Sequence, residues 1–230
     1  MGMSIPAAAT STGAAAIAEG ENVIDMLVRH PNTAKFISTK LLMWFVTPEP
    51  TAAQVSAVSS VFRATGGDIK LVVRAVLNQG WIQAAPLKFK RPFHYLVSSL
   101  RAAKAAVTNP VGLNGQLTVM GQPIYLWETP DGFPDLFEFW SGNLMPRWQV
   151  ASTVSTLRAG NIVIDSAPYL TGTRDAAIDM VNTNFFGGEM DLATRTALLG
   201  YLNAPGAVFN DTRVREVISL AIASESFQWY

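Results

Sequence analysis

The sequence predicts an all-α fold, an irregular multi-helix bundle of about nine or ten helices with negligible strand. Apolar residues recur at helical spacing along most of the chain, and residues typical of helix starts and ends separate these stretches. The only strand-like run, 161–165, is too short to build a sheet. The segment 108–145 is rich in Gly and Pro and lacks clear periodicity, so we predict one long loop there.

The best-defined helix is predicted from Pro31 to Val46. Pro31 suits a first helical turn, and Thr47-Pro48 ends the helix because the residue before a proline is pushed out of the α region. The apolar face is wide, so we expect burial on most sides and the rest of the chain packed about this helix. His30 stands before the helix start, where capping or packing is a more common role than chemistry.

The same signals predict the remaining elements. Residues 1–19 consist mainly of Ala, Ser, Thr and Gly without a core-forming pattern, so we expect a flexible leader there. We expect a single helical domain over 20–230, which can be built from two lobes, 20–107 and 146–230, joined by the segment 108–145. Helices are predicted at 21–29, 51–64, 68–80, 93–107, 146–157, 173–184, 191–202 and 211–224, with a short helical turn at 135–140.

The composition excludes several classes of protein. Charged residues make up 15% and hydrophobic residues 49%, so the chain buries much of itself or uses apolar surface to meet a partner. Basic and acidic residues are equal in number, 17 each, which argues against a nucleic-acid partner. Cysteine is absent, which excludes disulfides, thiolate metal sites and a cysteine nucleophile. No apolar run reaches the ~20 residues of a membrane span.

Four carboxylates lie within the predicted loop, beside two tryptophans: Glu128, Asp131, Asp135 and Glu138, with Trp127 and Trp140. Paired carboxylates next to aromatic platforms suit sugar binding, or glycoside cleavage by a general acid and a base. The four are therefore candidate catalytic residues. The ordinary alternative is a turn at Asp131, a helix cap at Asp135 and aromatic residues in the core.

A basic strip leads into the helix predicted from residue 93: Lys90, Arg91, His94, Arg101 and Lys104. Three of these residues fall near helical intervals, so one face can bind an anion such as a phosphate or sulfate group. A solvated helix face that pairs with the acidic segment explains the same pattern. Lys90, His94 and Arg101 are kept as candidate ligand-binding residues, together with Trp127 and Trp140.

Arg147 is the last candidate ligand-binding residue. It follows Pro146 in the first turn of a predicted helix, where a cation faces the positive end of the helix dipole. Such a misfit indicates a salt bridge or a ligand contact, and we expect a buried pair with Asp131 or Asp135. We predict no metal site and no cofactor, because the chain has only two histidines and lacks nucleotide-binding and zinc-binding motifs.

Several segments, in order, resemble a bacterial family, the domain-of-unknown-function family 1800. The resemblance covers about 20–230, as the C-terminal half of the family's longer chains. The motifs that carry it are His30-Pro31, Thr33-Ala34, Lys40-Leu41, Phe45-Val46, Gly66-Gly67-Asp68, Arg74-Ala75-Val76-Leu77, Lys90, Pro92, Arg101, Gly121-Gln122-Pro123, Asp131-Gly132-Phe133-Pro134, Trp140, Arg147 and Ala223-Ser224-Glu225-Ser226-Phe227-Gln228.

The resemblance implies a helical protein, often exported and often encoded beside a second exported protein of the sulfatase-like type. It supplies no catalytic residues. We therefore expect a non-catalytic binding or scaffold protein of the bacterial envelope, periplasmic or extracellular, whose partner is that neighbour or a polar ligand. The alternatives are a hydrolase that acts on a saccharide or another polar polymer through the 128–138 carboxylates, and a cytoplasmic location, since no export signal is visible.

Overall fold

The computed structural model describes residues 13–156 and 161–230. The chain folds into two compact units, one ending at Pro86 and one spanning Leu87–Tyr230. A flexible leader is predicted for residues 1–19. Residues 1–12 lie outside the described residues. Residues 14–19 form the first part of a helix that has no buried residue. The prediction of one helical domain over 20–230, built from lobes at 20–107 and 146–230, stays a prediction.

The first unit contains five helices: α1 (Ala14–Val28), α2 (Pro31–Phe45), α3 (Ala52–Ala64), α4 (Ile69–Val76) and α5 (Gln79–Gln83). Helix α2 packs against α3 and α4, and the three share one core that includes Ala34, Leu42 and Phe62. The expectation that α2 is buried on most sides and organises the whole chain is wrong. Phe36 and Trp44 are about half exposed, because α3 and α4 cover only one face, and the larger core lies in the second unit.

Side chains of this unit cap its helices at or directly before the predicted helix starts. The Nδ1 atom of His30 accepts a hydrogen bond from the Asn32 amide at 3.2 Å, and Thr51 forms a capping box with Gln54. Asp68 accepts from the Leu71 amide at 3.1 Å. Gly67, after α3, has a φ of +87°, and a Cβ there would lie 3.1 Å from the Phe62 ring. Glycine is therefore required at this turn.

The second unit is also helical. Its elements are α6 (Pro92–Ala102), β1 (Ala106–Val107), α7 (Val111–Val119), α8 (Phe137–Trp140), α9 (Leu144–Ser155), β2 (Ile162–Val163), a 3₁₀ helix (Ala167–Leu170), α10 (Arg174–Phe186), α11 (Leu192–Leu202), α12 (Asp211–Ala223) and a 3₁₀ helix (Ser226–Gln228). Helix α12 packs against α9, α10 and α11. Its Val217 and Ile218 side chains are completely or almost completely buried. Strands β1 and β2 form an antiparallel pair with Ala106 opposite Val163.

The predominantly helical fold is confirmed. The described residues form twelve α-helices. The predicted number is lower because the helix predicted at 68–80 is divided into α4 and the five-residue α5, and because α7 was not predicted. Helix α7 lies in the segment predicted as a loop, because Gly112 and Gly115 conceal its helical pattern in the sequence. In the part of the chain that the structure describes, no helix is both long and apolar enough to cross a membrane.

Candidate functional site

The C-terminal residues pair with the connection that precedes α6. Lys88 and Tyr230 exchange two backbone hydrogen bonds of 2.9 and 3.0 Å, and the Lys90 amide donates to the Gln228 carbonyl at 2.7 Å. Phe89 and Trp229 form an antiparallel bridge between these bonds. This pairing brings the basic connection 88–91 next to residues that are about 140 positions later in the chain.

Arg147 is completely buried beside this pairing. Its guanidinium group donates to the Gln228 side chain at 3.1 Å and to the Lys90 carbonyl at 2.7 Å. The guanidinium carbon lies 4.4 Å from the centroid of the Phe89 ring, a cation–π distance. Burial lowers the pKa of Arg147 to about 10. The predicted pairing with Asp131 or Asp135 is therefore wrong, because a side-chain amide, a backbone carbonyl and an aromatic ring surround this cation.

Lys90 is a second buried cation in the same place, with an exposed fraction of 7%. Its ammonium group donates to the Phe227 carbonyl at 2.7 Å and lies 3.7 Å from the centroid of the Phe227 ring. Burial, and then the charge of Arg147, lower the pKa of Lys90 to about 8. Within residues 13–156 and 161–230, no carboxylate forms an ion pair with Lys90 or Arg147. Charged side chains are seldom buried without such a partner.

Tyr95 and Gln228 connect this cluster to the core helices. The Tyr95 hydroxyl lies within hydrogen-bond distance of two carbonyls, those of Arg147 at 3.0 Å and Ile222 at 3.2 Å. The Gln228 amide donates to the Ile222 and Ser224 carbonyls, both at 3.1 Å. Burial raises the pKa of Tyr95, so its hydroxyl stays protonated. The buried cations are thus held by neutral polar groups.

Asp135 pairs with the other cations of the basic connection. The Lys88 ammonium lies 2.5 Å from one carboxylate oxygen, and the Arg91 Nε lies 3.6 Å from the other. Both cations and the carboxylate are largely buried, with side-chain exposures between 6% and 13%. Asp135 therefore fixes the 134–136 segment to the connection.

We expect Asp135→Asn to lower the free energy of unfolding of the second unit by about 2 kcal/mol, because the nearly buried Lys88 loses its counter-charge. The exposed Glu138 gives the matched control, and Glu138→Gln should change stability by less than about 0.5 kcal/mol. Urea unfolding of both variants measures the difference. Equal effects of the two substitutions would contradict the structural role of Asp135.

The other predicted site residues are distributed more loosely. Glu128, Glu138 and Arg101 are exposed, and Asp131 accepts a hydrogen bond from the Trp127 indole at 3.3 Å. The Trp140 indole donates to the Pro134 carbonyl at 2.8 Å, and the side chain is buried. The structure thus brings Lys90 next to Arg147, and Trp127 next to Asp131.

His94 lies at the edge of the buried cluster. Its Nδ1 atom is 3.4 Å from the hydroxyl of Tyr230. Burial, and then the charge of Arg91, lower the pKa of His94. The imidazole is therefore less easily protonated than an exposed histidine.

A half-open pocket of about 900 Å³ lies within the second unit, with Lys90 among its lining residues. The apolar part of the lining comes mainly from the end of α10 and from the C-terminus, as Phe185, Phe186, Trp229 and Tyr230. The polar part comes from the start of α11 and from the turn after α12, as Glu189, Asp191, Thr194, Glu225 and Ser226. Sequence reasoning did not find this pocket.

Asp191 anchors the polar side of the pocket and caps α11. Its carboxylate accepts from the Thr194 amide at 2.8 Å, from the Thr194 hydroxyl at 2.6 Å and from the Ser226 hydroxyl. The hydrogen bonds from Ser226 and Thr194 lower the pKa of Asp191 to about 2. The carboxylate therefore stays ionised, and its hydrogen bonds connect α11 to the C-terminal 3₁₀ helix.

These features define an all-α protein with a buried pair of cations beside an open, partly aromatic pocket. No group of His, Cys, Asp and Glu in the described residues could hold a metal ion. The chain belongs to the family described as "Protein of unknown function (DUF1800)", whose model matches residues 1–229. No curated protein matches the sequence, and no solved structure matches the fold.

Proposed function

We propose that this protein is a non-catalytic binding or scaffold protein of the bacterial envelope. The observation that carries the proposal is the apolar tip of the segment after α7, formed by Ile124, Tyr125 and Leu126 and called here the 124–126 tip. Their exposed fractions are 40%, 98% and 70%. Three consecutive exposed apolar residues are unfavourable on a protein surface unless a partner covers them.

The backbone of the tip supports the same proposal. The Leu126 amide donates to the Pro123 carbonyl at 3.5 Å, which closes a turn with Tyr125 at its third position. Tyr125 has a φ of +61°, in the left-handed region where glycine is favoured. The turn therefore holds a tyrosine in a strained conformation, and it presents nearly the whole side chain to solvent. Strain of this kind is concentrated at functional positions.

The partner class follows from the chemistry of the tip and from the family resemblance. An exposed Tyr between two aliphatic residues suits a protein surface with an apolar pocket, since aromatic side chains are common anchors in protein interfaces. The sulfatase-like exported protein that the resemblance implies is the partner we propose. The location in the envelope rests on the resemblance alone, and fractionation of cells that express the natural gene distinguishes export from a cytoplasmic location.

We expect the double substitution Tyr125→Gly and Leu126→Ser to weaken binding to this partner at least tenfold, measured by isothermal titration calorimetry. The fold should be unaffected, because both side chains are exposed and glycine relieves the turn. Val208→Ser is the matched control, since Val208 is 67% exposed, close to the 70% of Leu126. A double variant that binds as tightly as the wild type, or a wild type that does not bind, would overturn the proposal.

A hydrolase that uses two of the four carboxylates is the second candidate. The Trp127 indole contacts the Asp131 carboxylate, and its ring centroid lies 4.7 Å from that of Phe133. This arrangement favours the hydrolase, because an aromatic platform beside a carboxylate suits a sugar. The ion pairs of Asp135 count against its use as an acid or base. Release of reducing ends from oligosaccharides that is lost in Asp131→Asn would favour the hydrolase over the scaffold.

A further inference from the structure

The pocket of the second unit combines a buried cation with three carboxylates in its lining. Its volume of about 900 Å³ is in the range of small-ligand sites. Lys90 is 93% buried, and its ammonium group has three N–H donors, of which the described contacts use one for the Phe227 carbonyl. A carboxylate that enters the pocket can accept from the remaining donors. It would supply the counter-charge that both Lys90 and Arg147 lack within the described residues.

The acidic residues of the lining disfavour a simple anion as the ligand. Glu189, Asp191 and Glu225 line the same pocket, so their charges repel a ligand with only negative charge. The oxygens of Asp191 are already engaged by Thr194 and Ser226. Glu189 and Glu225 are exposed, and among the described residues neither forms an ion pair. These two carboxylates are therefore available to an incoming ammonium group.

The aromatic residues of the lining indicate that the middle part of the ligand is apolar. Phe185, Phe186, Trp229 and Tyr230 supply aromatic surface to the same pocket as Lys90 and the acidic residues. We propose that the pocket binds a zwitterion with an apolar body, of the class of short apolar peptides with free termini. Lys90 binds the C-terminal carboxylate, and Glu189 with Glu225 binds the N-terminal ammonium. A tripeptide, about 10 Å long when extended, fits a pocket of this size.

The experiment uses calorimetric titration of the full chain with the tripeptide alanyl-leucyl-alanine in three forms: free, N-acetylated and C-amidated. We expect the free peptide to bind with a dissociation constant below about 1 mM and either blocked form to bind at least tenfold more weakly. Absence of binding by the free peptide at millimolar concentration would overturn the proposal. Equal binding of the free and amidated peptides would also overturn it, since Lys90 would then contact no carboxylate.

Two variants test which residues of the pocket bind each end of the peptide. In Lys90→Met, the affinity for the free peptide should fall to the affinity that the wild type has for the C-amidated peptide. The affinity for the C-amidated peptide should be the same in the variant and in the wild type. In the double variant Glu189→Gln and Glu225→Gln, affinity should fall for the free peptide and stay unchanged for the N-acetylated one. Both glutamates are exposed, so this variant decides the test even where Lys90→Met fails to fold. Lys104→Met is the matched control at an exposed lysine, and loss of binding in it would contradict a specific site.

Discussion

Replacement of Arg147 by alanine is expected to lower the free energy of unfolding of the second unit by about 4 kcal/mol. The substitution removes a completely buried side chain and leaves a cavity between Phe89 and Tyr95. It also leaves the Lys90 carbonyl and the Gln228 side-chain oxygen without the donor that they have in the wild type. The cost therefore combines lost packing with lost hydrogen bonds.

Arg147→Met separates packing from charge. Methionine fills much of the same space and removes a buried charge that has no described carboxylate partner, so we expect a loss of only about 1–2 kcal/mol. Urea unfolding followed by tryptophan fluorescence measures both variants, in a background where Trp44 and Trp81 are replaced by Phe so that only the second unit reports. Equal losses in the two variants would contradict the account of Arg147 as a buried cation that has no ion pair among the described residues.

The free energy of unfolding is expected to rise by about 2.5 kcal/mol between pH 7 and pH 10 through Lys90. The folded-state pKa of Lys90 is about 8, below its ordinary value of 10.5. Below pH 8 both states hold the proton, and the cost of the buried charge is present in full. Between pH 8 and 10.5 the folded state releases the proton while the unfolded state keeps it, so stability increases with pH. Tyr95, whose raised pKa acts in the opposite direction, contributes only near and above pH 10.

Lys90→Met tests this pH dependence directly. The variant carries no charge at position 90, so most of the rise between pH 7 and pH 10 should disappear, and only the smaller part that Arg147 contributes near pH 10 should remain. Its stability at pH 7 should equal or exceed that of the wild type. The measurement is the same tryptophan-reported urea unfolding at three pH values. A slope that persists unchanged in Lys90→Met would show that another group titrates.

The helical architecture could be predicted from the sequence because its signals are local. The cap residues Thr51 and Asp68, and the glycine pair at 66–67, mark helix ends that the structure places as expected. Helix α7 was missed because its two glycines weaken the local signal. The exposure of Phe36 was also not predictable, since apolar spacing shows which face is apolar and not how much of it a neighbour covers.

The candidate site could be predicted only in part, because its contacts join distant segments. The position of Arg147 at a helix start indicated specific contacts, but the partners, Gln228 and the Lys90 carbonyl, are a side chain 81 residues away and a backbone group. The pocket joins residue 90 with 185–194 and 225–230, and no spacing in the sequence connects these segments. The one local signal was the run Asp191-Leu-Ala-Thr194, a helix cap that also faces the pocket.

The most direct measurement is the titration of the Lys90 ammonium group, because both the buried cation pair and the proposed ligand site depend on it. Carbon-13 labelled lysine reports the protonation of each amino group through the chemical shift of its Cε atom, and the resonance missing in Lys90→Met identifies Lys90. The structure predicts a midpoint of about 8, and a higher midpoint in Arg147→Met because a neighbouring positive charge is removed. A midpoint at the ordinary value of 10.5 in the wild type would contradict the account.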